Sequence, residues 1–202
     1  MDLVHAQSGK TVRLVRPYKL FASEREIIDE AFPGDVLGIP NNGEFAIGDS
    51  LCTGELVQFA PIPRFQPEHF ALLRNTDLGK QKQFSKGLQQ LESEGAVQVL
   101  YNVNAFKREP ILAVVGQLQF DVVQARLKAE YNVPTELERL PHVLMRWIKG
   151  PDSAIENMPQ RSEVIIARDS RNEWTALFST LFFLKYFADK NPELRFVDIT
   201  EN

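Results

Sequence analysis

The chain has 202 residues, of which 44% are hydrophobic and 25% charged, a composition that excludes a disordered protein and suffices for a buried core. Its formal net charge of −4 excludes attraction to nucleic acid by the overall field, so we expect no DNA partner, and only local basic patches could bind RNA. The longest apolar run is far too short to span a bilayer and no signal peptide is recognisable, so we expect a cytoplasmic protein without a membrane partner.

The first predicted element is a β-hairpin near the N-terminus. Its turn, Ser8-Gly9-Lys10-Thr11, looks like the end of a phosphate-binding loop, whose pattern is G-x-x-x-x-G-K-[ST] followed by a helix. Val4 occupies the place of the first glycine, and the residues after Thr11 alternate as in a strand. The sequence therefore predicts a turn between two strands and no nucleotide site.

Residues 1–62 are predicted to form a small, partial antiparallel β-barrel. Short strand-like runs are separated by turns of glycine, asparagine and aspartate, which is typical of such barrels. Only Ser23 to Ala31 resembles a helical turn. The following segment, which reads APIPRFQPE, contains three prolines that favour an extended connector to a second domain.

Residues 63–202 are predicted as a second domain of mixed α and β structure. Its first part has the βαββαβ order of a ferredoxin-like fold, with elements at His69–Arg74, Leu78–Glu94, Ala96–Tyr101, Pro110–Val115, Gln117–Tyr131 and Thr135–Leu140. A C-terminal α/β extension follows, with strands at Val143–Ile148, Glu163–Arg168, Trp174–Phe178 and Leu194–Ile199, a helical turn near Ala154 and a helix at Thr180–Lys190. This extension fits either a second βαββαβ unit or a continuation of the first sheet.

The two helices of the ferredoxin-like part have different patterns. The first has one apolar stripe, formed by Phe84, Leu88 and Leu91. Gly87 borders that stripe and is expected to let the helix approach the sheet closely. The second helix has two apolar sides and is expected to be covered on both. One side consists of Leu118, Val122, Ala125 and Ala129. The other is the candidate surface for packing against another domain, and it consists of Phe120, Val123, Leu127 and Tyr131.

Two passages resemble known translation factors. The first resembles the β-barrel domain that follows the nucleotide-binding domain in translational GTPases, and it reads AFPGDVLGIPNNGEFAIGDSL. The second is more specific, because its motifs, order and spacing resemble the C-terminal domain of the release factor 3 family. It reads KQKQFSKGLQQLESEGAVQVLY and then REPILAVVGQLQFDVVQARLKAEYNV.

The resemblance implies a GTPase that binds the ribosome after peptide release and promotes departure of the class I release factor. Its expected partners are ribosomal RNA and small-subunit proteins, with the class I factor as an indirect partner. The sequence contains no phosphate loop and no guanine-recognising Asn-Lys-x-Asp. We therefore expect a C-terminal portion that does not hydrolyse GTP and holds no cofactor, since GTP and Mg²⁺ belong to an N-terminal domain of the family.

Two groups of basic residues are candidate RNA-binding sites. The first lies in the predicted barrel, where two aromatic residues alternate with the cations, and it consists of Arg13, Arg16 and Lys19. The second lies on the first helix of the ferredoxin-like part and consists of Lys80, Lys82 and Lys86. Lysine and arginine neutralise phosphates and aromatic rings stack on bases. A solvated surface explains the same residues, so both interpretations stay open.

No enzymatic site is predicted in this chain. Cys52 lacks a histidine nearby in sequence, and the three histidines have no metal-ligand spacing. The segment Gly116-Gln117-Leu118-Gln119 resembles the phosphate loop of acylphosphatases, but Phe120 replaces its central glycine and Gln124 its arginine. We therefore expect no catalytic residue, no cofactor ligand and no metal ligand. A noncatalytic module that docks a partner domain without contacting RNA is the alternative function.

Overall fold

The computed structural model of the chain describes residues 1–21, 24–41, 43–59, 66–159 and 161–198. The chain divides into two units, Met1–Pro63 and Arg64–Asn202. The strands of the first unit are β1 (Asp2–His5), β2 (Thr11–Arg13), β3 (Tyr18–Phe21), β4 (Glu24–Ile27) and β5 (Leu51–Cys52). They form a three-stranded sheet in the order β2-β1-β5 and a separate β3-β4 hairpin, and every pairing is antiparallel, as predicted.

The Ser8-Gly9-Lys10-Thr11 segment is part of a hairpin turn, as the sequence predicts. The amide N–H of Gly9 donates to the carbonyl oxygen of His5 at 2.8 Å, and Gly9 adopts the left-handed conformation with φ = +69°. That conformation suits glycine because it lacks a Cβ atom. Strands β1 and β2 then pair with Leu3 opposite Val12, and both of these side chains are buried.

The predicted helical turn between Ser23 and Ala31 is wrong. Its described part contains strand β4, which pairs with β3 so that Tyr18 lies opposite Ile27. A single helical turn costs more to nucleate than it recovers from its few internal hydrogen bonds, whereas a hairpin satisfies the same backbone groups at once. Ser23 and most of the proline-rich connector lie outside the described residues.

The second unit contains eight strands and four α-helices among its described residues. The strands are β6 (His69–Asn75), β7 (Gln98–Asn102), β8 (Pro110–Val114), β9 (Thr135–Arg139), β10 (Leu144–Lys149), β11 (Val164–Asp169), β12 (Trp174–Phe178) and β13 (Arg195–Val197). The helices are α1 (Gln81–Ser93), α2 (Leu118–Tyr131), α3 (Asp152–Glu156) and α4 (Leu181–Lys190), and a 3₁₀ turn at Leu78–Lys80 precedes α1. These elements confirm the predicted order.

All eight strands form one antiparallel sheet in the order β13-β10-β12-β11-β7-β8-β6-β9. The half β7-β8-β6-β9 has the strand order of a ferredoxin-like unit. The half β11-β12-β10-β13 repeats that order with its own strands and helices. The halves join where β11 pairs with β7, with Ala167 opposite Asn102. Both alternatives for the C-terminal extension therefore hold, because it is a second βαββαβ unit that continues the first sheet.

Three hydrophobic clusters stabilise this arrangement. One lies between the first half of the sheet and helices α1 and α2, and another between the second half and helices α3 and α4. The third cluster joins the opposite faces of both halves, with Phe70 and Ile111 from the first half and Met145, Trp147 and Leu177 from the second. The helices therefore cover the outer faces of the two half-sheets, whose other faces share one core.

Helix α1 packs as its stripe predicts, but Gly87 has a different neighbour from the one expected. Phe84, Leu88 and Leu91 are buried in the first cluster. A Cβ atom on Gly87 would lie 2.8 Å from Leu127 Cδ2 and 2.8 Å from Tyr131 Cδ2. Gly87 therefore permits a close approach of α1 to helix α2, and the expectation that it faces the sheet is wrong.

Within the described residues of its own unit, helix α2 is covered on one side only, and its cover by another domain stays a prediction. Its residues Phe120, Val123 and Leu127 are buried in the first cluster of the second unit, and Tyr131 packs against that cluster. These four side chains contribute to the core of their own unit, so they are not a surface for another domain. The opposite side of the helix is open, with exposed fractions of 78% for Leu118 and 51% for Val122.

Candidate nucleic-acid interface

The basic residues of the first unit are not equally available. Arg13 and Arg16 are exposed, Arg13 at the end of strand β2. Lys19 is different, because its Nζ lies 3.1 Å from Asp35 Oδ2. That carboxylate also accepts a hydrogen bond from the Phe32 amide, and this bond together with the Lys19 contact lowers the pKa of Asp35. Of the three predicted residues, Arg13 and Arg16 remain the better candidates for binding a phosphate.

The three lysines at and just before the start of α1 also differ in availability. Lys80 lies in the 3₁₀ turn, where its Nζ is 3.3 Å from Asp77 Oδ2. Lys82 and Lys86 lie in α1 itself and are exposed. Four residues apart, they are neighbours on one face of the helix, and neither forms an ion pair with another described residue. This face can therefore offer two cations to an anionic partner.

The packing of α1 fixes where these lysines point. Its buried stripe is anchored in the core, so the opposite face must meet solvent. At the other end of the helix, Arg126 bridges Glu94 and Glu130. The hydrogen bond with Arg126 lowers the pKa of both carboxyl groups, which therefore stay ionised and paired. The unpaired positive charge of α1 is concentrated in its first two turns.

A third group of basic residues was not predicted as a site from the sequence. The loop between β7 and β8, residues 103–109, contains Phe106, Lys107 and Arg108 in succession. Phe106 has a relative exposure of 108%, the value of a fully solvated side chain. The Lys107 side chain is 80% exposed, and its Nζ makes one long contact of 3.6 Å with Glu109 Oε1. The sequence feature that could have indicated this site is an aromatic residue followed directly by two basic residues, in the loop between two predicted strands.

The base of the β7–β8 loop is held by specific contacts. Arg74 Nε donates to Glu109 Oε2 at 3.0 Å, and the Lys107 carbonyl accepts from the Glu109 amide at 2.9 Å. The Arg108 guanidinium lies 5.0 Å from the ring centroid of Tyr101, a cation–π arrangement. Burial raises the pKa of Tyr101, which is neutral at pH 7. The loop therefore presents Phe106 and Lys107 from a supported base.

The fold brings this loop and the start of α1 to the same end of the sheet. Strands β6 and β8 are antiparallel, with Leu72 opposite Ile111, so the end of β6 lies beside the start of β8. The β7–β8 loop leads into β8, and α1 follows β6 after the 3₁₀ turn. We refer to this part of the surface as the basic end, and it consists of Lys82, Lys86, Phe106, Lys107 and Arg108.

Other kinds of site find little support among the described residues. They contain no cluster of three or more histidine, cysteine or acidic side chains suited to a metal ion. None of their helices combines the length and apolarity needed to cross a membrane.

A shallow cleft of about 200 Å³ is lined by side chains that include His69, Phe120, Arg139 and His142. Burial lowers the pKa of His142, which favours its neutral form.

Two family models match the chain, and the boundary between them lies close to the boundary between its two structural units. Residues 1–54 match a family model described as elongation factor G domain 2. Residues 59–188 match a model described as class II release factor RF3, C-terminal domain. A crystal structure of a Thermus thermophilus protein superimposes on 75% of this chain and 24% of that chain with a TM-score of 0.58. Its sequence identity is 20%, so this likeness concerns the fold alone.

Curated relatives cover almost the whole chain. A peptide chain release factor 3 from Trichormus variabilis is 48% identical over 96% of this chain and 36% of its own length. The peptide chain release factor 3 of Gloeobacter violaceus is 48% identical over 98% of this chain and 38% of its own length. The chain thus spans little more than a third of the length of these relatives. Identity at this level, with a matching family model over residues 59–188, shows that the chain belongs to the peptide chain release factor 3 family.

Proposed function

We propose that this chain is the ribosome-binding part of a translation termination factor. In the complete protein, a GTPase domain would supply GTP and Mg²⁺ binding, and the whole factor would promote departure of class I release factors after peptide release. The relatives named peptide chain release factor 3 support the termination role. This chain would contribute binding and not catalysis, in the cytoplasm where ribosomes work.

The observation behind the proposal is the exposed pair Lys82 and Lys86 on a helix whose other face is locked in the core. RNA carries one phosphate per nucleotide, and cations that neutralise phosphates release counterions and thereby gain free energy. Because the chain as a whole is acidic, this gain must come from a local surface. Ribosomal RNA is the partner that such a surface fits, and Arg13 and Arg16 would add a second contact from the first unit.

Co-sedimentation with purified ribosomes tests the proposal. The double variant Lys82→Glu, Lys86→Glu is expected to bind at least tenfold more weakly, because two attractive contacts become repulsive. Its matched control is Lys185→Glu, Lys190→Glu, which makes the same change of charge at two exposed positions of α4. We expect the control to bind like the wild type. Equal loss in both variants would contradict a local RNA surface on α1.

The open side of α2 favours a second candidate, a protein interaction module without RNA contact. Leu118 and Val122 are large apolar side chains exposed on one helix face, and such faces commonly bind protein. In that case binding would depend weakly on salt and would be lost in Leu118→Gln, Val122→Gln. The lysine reversals would leave it unchanged. The two sets of variants therefore separate the two functions.

A further inference from the structure

We propose that the β7–β8 loop stacks on an unpaired base of RNA. The Phe106 ring would lie against the base, and Lys107, Arg108 and Lys82 would contact the phosphates on either side. This inference rests on the proposed function and adds the kind of nucleic acid recognised at the basic end, which is a single-stranded or bulged nucleotide and not a regular double helix.

The exposure of Phe106 is the first observation. A phenylalanine with no apolar neighbour covering it leaves its whole ring in water, and burying that ring would be favourable. The adjacent hydrogen bonds, and the contact of Arg108 with Tyr101, hold the base of the loop, so the exposed ring extends from an ordered platform. A ring presented in this way needs less ordering before it binds.

The charges around Phe106 indicate which ligand its ring would contact. Three carboxylates at this end of the sheet are paired, Asp77 with Lys80, and Glu109 and Glu138 with Arg74. Glu163 is half-buried just before β11, the strand that pairs with β7, and forms no ion pair with a described cation. Glu136 is exposed, but it lies on edge strand β9, on the far side of β6 from the loop. The surface around Phe106 therefore offers cations that no described acidic partner neutralises, apart from the long contact of Lys107 with Glu109. An aromatic ring among such cations fits a nucleotide, whose base stacks while its phosphates bind lysine.

Stacking restricts the RNA to unpaired positions. In an A-form helix the bases are stacked on each other and their faces are closed, whereas loops and bulges present open faces to aromatic side chains. Base–aromatic stacking also tolerates any base, so the loop would recognise an unpaired nucleotide without reading its identity.

Fluorescence of a short RNA strand with a central 2-aminopurine tests the proposal, because stacking quenches this base. The wild-type chain is titrated into the single strand and into the same strand paired with its complement. We expect quenching and binding with the single strand and at least tenfold weaker binding to the duplex. Phe106→Leu, which keeps an apolar side chain but removes the ring, should weaken single-strand binding about tenfold. Phe106→Trp should bind at least as tightly as the wild type.

Phe182→Leu is the matched control, because Phe182 is also an exposed phenylalanine, with 68% exposure, on the second half of the unit. It should leave binding within about twofold of the wild type. The proposal is overturned if the wild type neither binds nor quenches the single strand, if Phe106→Leu binds like the wild type, or if both leucine variants lose binding equally. Loss of ribosome binding in Phe106→Leu with unchanged RNA binding would show that the loop docks on protein instead.

The ribosome-binding function and the stacking loop can be refuted separately. If the Lys82 and Lys86 reversals abolish ribosome binding while Phe106→Leu has no effect on the oligonucleotide, the ribosome-binding function stands and the stacking loop is wrong. If the lysine reversals have no effect on ribosome binding, the proposed function itself is wrong.

Discussion

At the scale of single residues, Gly87 determines how closely two helices can pack. A Cβ atom at this position would meet Leu127 and the ring of Tyr131 at 2.8 Å, and overpacking of this kind costs about 1–3 kcal/mol. The better helix propensity of alanine returns at most about 1 kcal/mol. Gly87→Ala should therefore lower the free energy of unfolding in urea, by about 1 kcal/mol. Ser85→Ala, on the exposed face of the same helix, is the control and should be neutral or stabilising.

His142 makes the free energy of unfolding depend on pH. Its pKa in the folded chain lies below the ordinary 6.5, mainly because burial disfavours the charged ring. As the pH falls below about 6.5, the unfolded state takes up the proton first, so the folded state loses stability by at most about 1.4 kcal/mol per pH unit. His142→Leu should lack this loss. Urea unfolding at pH 7.5 and pH 5.5 measures it, and parallel changes in both proteins would refute it.

At the scale of elements, helix α2 shows what hydrophobic periodicity cannot predict. Two apolar sides could be read from the sequence, but periodicity cannot say which of them meets the core when both are apolar. The structure buries Val123 completely and leaves Val122 51% exposed. Val123→Ala should therefore cost about 2 kcal/mol, whereas Val122→Ala should change the free energy of unfolding by less than about 0.5 kcal/mol. A reversed order of these two values would contradict the assigned faces.

Most other elements could be predicted because local signals agreed with the tertiary fold. The apolar stripe of α1 and the continuous apolar run of β8 both agree with the arrangement that the fold adopts, in which each is buried. The segment 23–31 failed because pairing with β3 decided its conformation, and a hairpin partner is not visible in local composition. The loop at Phe106 was missed as a site because its position beside α1 depends on strand order.

At the scale of the whole molecule, the second unit should unfold as one body, although it consists of two repeated βαββαβ halves. The halves share a continuous sheet and the cluster that contains Phe70, Ile111, Met145 and Leu177. Neither half can lose its strands without exposing that cluster. Amide hydrogen exchange under native conditions should give β8 and β12 the same free energy of opening, within about 1 kcal/mol. A clearly lower value for one strand would indicate independent halves.

The assignment of residues 1–62 and 63–202 as separate domains stays a prediction, as does the ribosomal partner. The lysine face of α1 is proposed to contact ribosomal RNA, and tethered radical cleavage is the sharpest check of this contact. In a Cys52→Ser background, an iron chelate is attached to Lys86→Cys or, as the control, to Lys185→Cys, and each protein is bound to ribosomes. We expect cleavage of ribosomal RNA from position 86 and little or none from position 185. Bound protein that cleaves only from position 185, or from neither position, would contradict it.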